Sequence, residues 1–432
     1  MIKYLKLYNI GPSQFMEMEF GERLNIITGD NGLGKSFLLD VSWWAMTRKW
    51  PAEINSNLTS GKMARPTFEG EGKIEFSFSG LSTDENVGES FFDRDTQTWS
   101  SRGVGRPPNP GLVLYAMSDG SFAVWDPIKN YWKKEADTET PNRPPAYVFS
   151  AKEVWDGLSD KHGNWLCNGL IRDWASWQKE NGKTFERLKK VLESLSSNEN
   201  EKLLPGELTR VSLDDARDMP TIKMPYGQDV PVVHASSGVR RVIALAYFLV
   251  WAWDEHEKAS KLTGKKLTPQ VTFLIDEIES HLHPSWQRVI IPSLLNVVNL
   301  LASDAEVQII TATHSPMIMA SIEPLFSSSK DAWFDIDYEQ SKDGTTPEVI
   351  LRKRDFIRRG DVCNWLMSEA FDLKSARSIE AERAIEEASL VMKENNSNRE
   401  NIKRIEERLK KVLSDIDSFW IRWNYFLEKK GL

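Results

Sequence analysis

The stretch Gly29-Asp30-Asn31-Gly32-Leu33-Gly34-Lys35-Ser36 has the spacing G-x-x-x-x-G-K-[ST]. Residues of these types in this order can cradle a chain of phosphates. Glycines let the backbone N–H groups of Asn31, Gly32 and Gly34 come close to phosphate oxygens, and a helix opening at Lys35 adds partial positive charge. Lys35 is placed to reach the β- and γ-phosphates, and Ser36 to offer its hydroxyl to Mg2+. Far along the chain, Val271-Thr272-Phe273-Leu274-Ile275 runs into two carboxylates, Asp276 and Glu277. An acidic pair after a strand is usually just a solvated end. Beside a phosphate loop, Asp276 would help hold Mg2+ through its water shell and Glu277 would polarise the attacking water as general base. A third group, Thr313-His314-Ser315-Pro316, follows another apolar run. A lone histidine is more often structural, but at the carboxyl end of a strand, where ligands of open α/β sheets bind, His314 can reach a γ-phosphate.

Positioning these groups takes a sheet and helices. Residues 2–7, 15–20 and 24–28 read as strands separated by turns at Gly11-Pro12 and Gly21. After Ser36 the pattern is an amphipathic helix stopped by Pro51. Residues 66–150 break into strand-like patches between Gly, Pro, Asp and Ser, and read as an antiparallel lobe. The loop at 102–111 carries Arg102 and Arg106. Residues 151–200 read as helical and 207–234 as strands with turns. A helix is expected from Ser236 to Trp253. Strand, helix, strand and helix then alternate from 271 to 321, which predicts a parallel sheet. Beyond residue 361 the chain reads as mostly helical, with a helical hairpin turning at 395–398.

The whole chain bounds the reading. Its 432 residues are 40% hydrophobic and 27% charged, with a formal charge of −8, which suits a soluble protein and argues against a globally basic nucleic-acid coat. A local basic groove stays open. Cys167 and Cys363 form no CxxC pair, so no zinc ribbon or disulfide framework is implied, and a cytoplasmic location is expected. The start of the chain is too polar for a signal peptide and the longest apolar run too short for a bilayer, so no membrane partner is expected. The 17 tryptophans read as core packing.

These residues resemble ABC-type ATPases of the SMC, RecF and OLD kind over residues 1–50 and 230–325. The resemblance implies an α/β fold: an ABC-type P-loop ATPase head with an antiparallel β lobe, a helical insertion and a C-terminal helical extension. The corresponding segments are 1–65 with 230–350 for the core, 66–150 for the lobe, 151–229 for the insertion and 351–432 for the C-terminal region. It implies ATP and Mg2+ as ligands and ATP hydrolysis as the activity. The family's signature loop matches Ala235-Ser236-Ser237-Gly238-Val239-Arg240-Arg241. By that likeness Ser236, Ser237 and Gly238 bind the γ-phosphate of ATP held by a second subunit, which implies a head-to-tail homodimer or a higher even oligomer. Ile278-Glu279-Ser280-His281-Leu282-His283-Pro284 is similar to the segment that runs along the family's dimer seam. Its two histidines lack a third ligand and make a poor zinc site. The family also carries a glutamine at the end of a lobe strand. Here the strand sought for it, residues 146–149, is followed by Ser150.

No nuclease signature is visible in the chain, and no nuclease activity is expected of it. A lone ATPase of this length is similar to the ATPase subunits of bacterial anti-phage systems, which implies a separate HNH or Toprim nuclease as effector. The segment 351–359 concentrates Arg352, Lys353, Arg354, Arg358 and Arg359. These cations could bind DNA phosphates with strong salt dependence, or they could be a solvated face balancing an acidic chain. A DNA repair ATPase like RecF or SMC, and an ATPase scaffold that restrains an effector without DNA, are the alternative functions.

Overall fold

Five apolar runs bury almost every side chain they carry: Leu24–Gly29, Leu112–Ala116, Gln270–Ile275, Glu306–Ala312 and Ala332–Gln340 through Ile336. Strands covered on both faces have this composition. In the computed structural model they pair in parallel as the centre of one sheet, in the order Ala332–Gln340, Leu24–Gly29, Glu306–Ala312, Gln270–Ile275, Leu112–Ala116. Pro347–Arg354 closes one edge and Phe122–Trp125 with Tyr147–Phe149 the other, all antiparallel. Because the five central strands point the same way, the segments leaving their carboxyl ends share one rim of the sheet. The structure describes residues 1–79, 86–101, 109–131, 144–160, 162–198, 200–301, 305–340, 347–393 and 398–431. They form two compact units, Met1–Gly360 and Asp361–Leu432.

A second sheet is wholly antiparallel, in the order Phe15–Glu19, Ile2–Tyr8, Lys73–Phe78, Asn86–Asp93, Thr98–Ser101. The helix Lys35–Thr47 lies in one hydrophobic core with both sheets. Trp43 and Trp44 join Leu5, Phe76 and Phe78 of the second sheet and Ile27, Val113 and Ile310 of the first. A helix buried this fully carries apolar residues around its whole circumference. The long helix Ser237–Thr263 packs on the antiparallel edge of the first sheet, where Phe248 stacks on Phe122 at 4.1 Å and Trp251 meets Phe149 edge-on at 5.5 Å. Its apolar stretch is core. Among the described residues no helix is long and apolar enough to cross a membrane.

Two expected boundaries change. The lobe read over 66–150 is divided between the sheets: Lys73–Phe78, Asn86–Asp93 and Thr98–Ser101 join the N-terminal strands, whereas Leu112–Ala116 is a central parallel strand beside Gln270–Ile275. Leu112–Ala116 is buried at every position, which a half-solvated lobe strand would not be. The C-terminal region expected from residue 351 begins at Asp361 instead, because Pro347–Arg354 is an edge strand of the first sheet. Its run of cations masks a strand.

The second unit has its own core. Ala381, Ala384, Ala388 and Val391 of the helix Ile379–Lys393 meet Ile402, Ile405 and Leu409 of Arg399–Val412, and Phe419, Trp423 and Phe426 of Phe419–Lys430 complete it. Of the turn expected at 395–398, residues 395–397 lie outside the described residues, and Asn398 caps the helix Arg399–Val412.

Candidate active site

The phosphate loop leaves the strand Leu24–Gly29 and enters the helix Lys35–Thr47 with no side chain capping that helix. Two glycines explain its path. Gly29 has φ 134, and a Cβ there would lie 2.2 Å from the Ile336 carbonyl oxygen of the neighbouring strand. Gly32 has φ 82, and a Cβ there would meet open space. Lys35 is only 5% exposed. Its Nζ donates to the carbonyls of Gly29 at 2.8 Å and Asp30 at 2.7 Å. Burial lowers its pKa, and the charges of Asp276, Glu277, Asp30 and Glu279 oppose that shift. Asn31 and Gly32 stand exposed at the crest of the loop.

The strand Gln270–Ile275 delivers Asp276 to the same rim, 2% exposed. Burial raises its pKa, hydrogen bonds from Ser36 and Ser118 oppose the rise, and Glu277 adds to it. Its Oδ1 is buried without a hydrogen-bond partner. Glu277 follows with φ 45, a left-handed backbone that non-glycine residues rarely adopt. The Ser280 hydroxyl donates to Glu277 Oε2 at 3.1 Å. His314, at the end of the adjacent strand Glu306–Ala312, is half-buried. Desolvation lowers its pKa, the ammonium of Lys35 lowers it further, and Glu277 and Asp30 oppose. An imidazole so placed is neutral near pH 7 and can offer one N–H. Lys35, Ser36, Asp276, Glu277 and His314 thus gather at one rim, with their charges in mutual reach.

An orphaned carboxylate oxygen beside a serine hydroxyl is a hard-oxygen donor set that fits Mg2+. Among the described residues no group of three or more His, Cys, Asp or Glu could hold a metal. An ion held by Ser36 and Asp276 would complete its shell with phosphate oxygens and water. His283 is used locally, accepting at Nδ1 from the Ser285 N–H at 3.3 Å, and His281 takes φ 63.

Several site residues escaped the sequence. Glu279 accepts from the Thr313 hydroxyl at 2.9 Å and from the His314 backbone N–H, so it ties the loop after Glu277 to the histidine strand. Burial raises its pKa against those same hydrogen bonds. Arg241, one turn into the helix Ser237–Thr263, donates through Nη2 to the Asp276 carbonyl at 3.3 Å. Ser118 reaches Asp276 from the end of Leu112–Ala116. Beside it, Asp119 accepts from Thr59, Ser60 and the Ser121 backbone. Ser118 follows Leu112–Ala116, the parallel neighbour of the Asp276 strand, whereas Tyr147–Phe149, the strand before Ser150, lies at the antiparallel edge of the sheet. Ser150 instead forms a capping box with Glu153. The available signal was the unbroken apolar run before Ser118.

The signature turn is set differently. Ser236 and Ser237 are exposed, and the Ser236 hydroxyl accepts from the Val239 N–H at 3.4 Å, capping its own helix. Gly238 is buried, and a Cβ on it would lie 2.5 Å from the His281 carbonyl oxygen. Of the basic stretch, Arg352 pairs with Glu339 at 2.8 Å, Arg354 with Asp335 at 3.1 Å, and Lys353 lies 3.9 Å from Glu19. Arg358 is exposed, and the Arg359 backbone N–H donates to Glu323 at 2.7 Å. Arg102 and Arg106 lie outside the described residues.

A phosphate loop, an Asp–Glu strand end, a rim histidine and a serine–glycine helix start on one parallel sheet define a P-loop ATPase of the ABC type. The chain belongs to the family described as "AAA domain, putative AbiEii toxin, Type IV TA system", whose profile matches residues 24–320. It is similar to the Septu protein PtuA of Bacillus thuringiensis, with 24% identity over 374 residues, covering 81% of this chain and 83% of that protein. It is also similar to the "Retron Ec83 probable ATPase" of Escherichia coli, with 25% identity over 248 residues, covering 56% of this chain but only 38% of that protein. Among solved structures, the SMC head domain from Thermotoga maritima aligns over 82% of this chain and 99% of that one, at 13% identity and a TM-score of 0.38.

Proposed function

We propose that this chain is the ATP-hydrolysing subunit of a bacterial anti-phage defence complex, in which two copies clasp ATP head to tail and thereby gate a separate nuclease. One observation carries the clasp. The phosphate loop, Asp276, Glu277 and His314 converge within one chain, while Ser236 and Ser237 face solvent at a helix start. An exposed helix N-terminus is a ready acceptor for phosphate oxygens supplied from outside. The defence role is supported by the likeness to a Septu protein and a retron ATPase.

Each residue then has a defined task. Lys35 leaves its two loop carbonyls and turns to the β- and γ-phosphates. Ser36 and Asp276 would hold Mg2+, which when bound would neutralise charge on the phosphates. Glu277 accepts a proton from the attacking water. His314, neutral, donates to a γ-phosphate oxygen. Ser236 and the Gly238 backbone of the second copy close over the same phosphate. Loss of the γ-phosphate removes those cross-subunit contacts, and the pair opens. In the basic segment Arg352, Lys353 and Arg354 are already paired with carboxylates, so contact with DNA phosphates rests first on the exposed Arg358.

Glu277→Gln tests the reading. With ATP and Mg2+ it should form a stable dimer by light scattering while releasing phosphate at least about a hundredfold more slowly, the scale of a lost general base. Normal turnover by this variant would remove Glu277 from the mechanism. A monomer at saturating ATP would remove the clasp.

A further inference from the structure

The strand Leu24–Gly29 feeds the phosphate loop, and its last threonine is tied sideways. Thr28 pairs with Asp335 and Gly29 with Ile336 across the parallel ladder. The Thr28 hydroxyl receives the Trp333 indole N–H at 2.8 Å and donates to Asp335 Oδ1 at 2.9 Å. Asp335 Oδ2 accepts from Arg354 Nε at 3.3 Å and Nη2 at 3.1 Å. Thr28, Trp333 and Asp335 are at most 1% exposed. Only Arg354 reaches outward, its side chain 25% exposed. The next residue, Gly29, offers one of the two carbonyls that hold the Lys35 ammonium, and it lies hard against the Ile336 backbone.

We infer that Asp335, held by Arg354, is a positioning residue for the phosphate loop, acting through Thr28 to fix the Gly29 carbonyl from which Lys35 reaches its ligand. Backbone pairing alone tolerates small shifts along a strand. A buried, charge-assisted chain of hydrogen bonds does not, because each broken link leaves a polar group unpaired in a low-dielectric interior. Burial raises the Asp335 pKa, and the hydrogen bonds from Thr28 and Arg354 oppose that rise. The role gives Arg354 a task inside the protein, in place of the DNA contact its sequence context suggests.

The inference rests on the ATPase reading, and its test keeps the two apart. Binding of a fluorescent ATP analogue with Mg2+ is measured for wild type, Lys35→Met, Thr28→Val, Asp335→Asn, Arg354→Met and Arg354→Lys, beside melting without nucleotide. Thr28→Val removes one hydroxyl from an isosteric side chain. It should weaken nucleotide binding about tenfold and raise KM with kcat within about twofold, as expected when a group binding substrate and transition state alike is misplaced. Asp335→Asn should do at least as much, the double variant Thr28→Val with Asp335→Asn no more than the worse single, and Arg354→Lys should recover most of what Arg354→Met loses. If Thr28→Val and Asp335→Asn melt lower but their folded protein binds the analogue like wild type, the network merely braces the sheet and the inference is overturned. If wild type and Lys35→Met both fail to bind, the ATPase reading itself falls.

Discussion

Two helix starts in this chain invite comparison. Lys35–Thr47 opens behind Gly34 with no side-chain cap, and its first-turn N–H groups are free to meet a ligand. Ser237–Thr263 opens behind Ser236, whose hydroxyl already accepts from the Val239 N–H. The first start is buried, tied to a neighbouring strand and surrounded by carboxylates. The second is exposed at Ser236 and Ser237 and keyed into the chain only at Gly238. On the proposed function the first start is the anion cradle, and the second meets a phosphate only when one is brought to it. This asymmetry is what a shared nucleotide between two copies would use.

The difference can be broken from either side. Lys35→Met should have the largest effect, since it strips a buried ammonium from the first start. Nucleotide affinity should fall by about ten- to a hundredfold, the scale of a charged hydrogen bond, and hydrolysis should vanish. Retained binding in a titration calorimeter would mean that the loop does not hold the phosphates. Ser236→Arg acts on the second start. Binding to one chain should stay within about twofold while phosphate release is lost, because the arginine blocks a surface needed only in the pair. Equal loss of binding would place Ser236 in its own chain's site.

The smallest effect probes the crowding under the first start. Asp40, on the helix Lys35–Thr47, accepts from the Tyr115 hydroxyl at 2.9 Å. Burial lifts its pKa from 3.8 to about 7, with Tyr115 opposing and Asp276 adding to the rise. The folded state thus binds a proton more tightly than the unfolded chain does, and stability is lost as pH rises from about 4 to about 7. Asp40→Asn removes that penalty. Its gain in melting temperature over wild type should grow across this window and level off above it. A uniform loss at every pH would show that the carboxylate, and not its proton, supports the fold.

What could be read from sequence follows the range of the interactions involved. The phosphate loop, Asp276, Glu277 and His314 are each local: an apolar strand, then a turn bearing the right side chain. Their common rim follows from the parallel order of the strands. Leu112–Ala116 had the same unbroken apolar character, yet the Gly- and Pro-rich surroundings drew it into the lobe. Ser118, Arg241 and Glu279 stayed hidden because their partners lie on other elements. Arg354 is the plainest instance: as one of five clustered cations it reads as a solvent-facing phosphate binder, and only the pairing with Ala332–Gln340, which sets Trp333 opposite it and Asp335 on the diagonal, brings it to a carboxylate at 3.1 Å. Ser236 was legible as a motif, but its solvent exposure was not.

The turn that carries Glu277 is bent at both ends, with φ 45 at Glu277 and φ 63 at His281. For residues other than glycine such geometry costs on the order of 1–3 kcal/mol each. A glycine at either position would relax the peptide and yield a sturdier protein. On the proposed mechanism the chain keeps its general base in a conformation its own backbone resists, so thermal robustness and chemical competence would pull in opposite directions at this single residue, and Glu277→Gly should melt above wild type while losing hydrolysis.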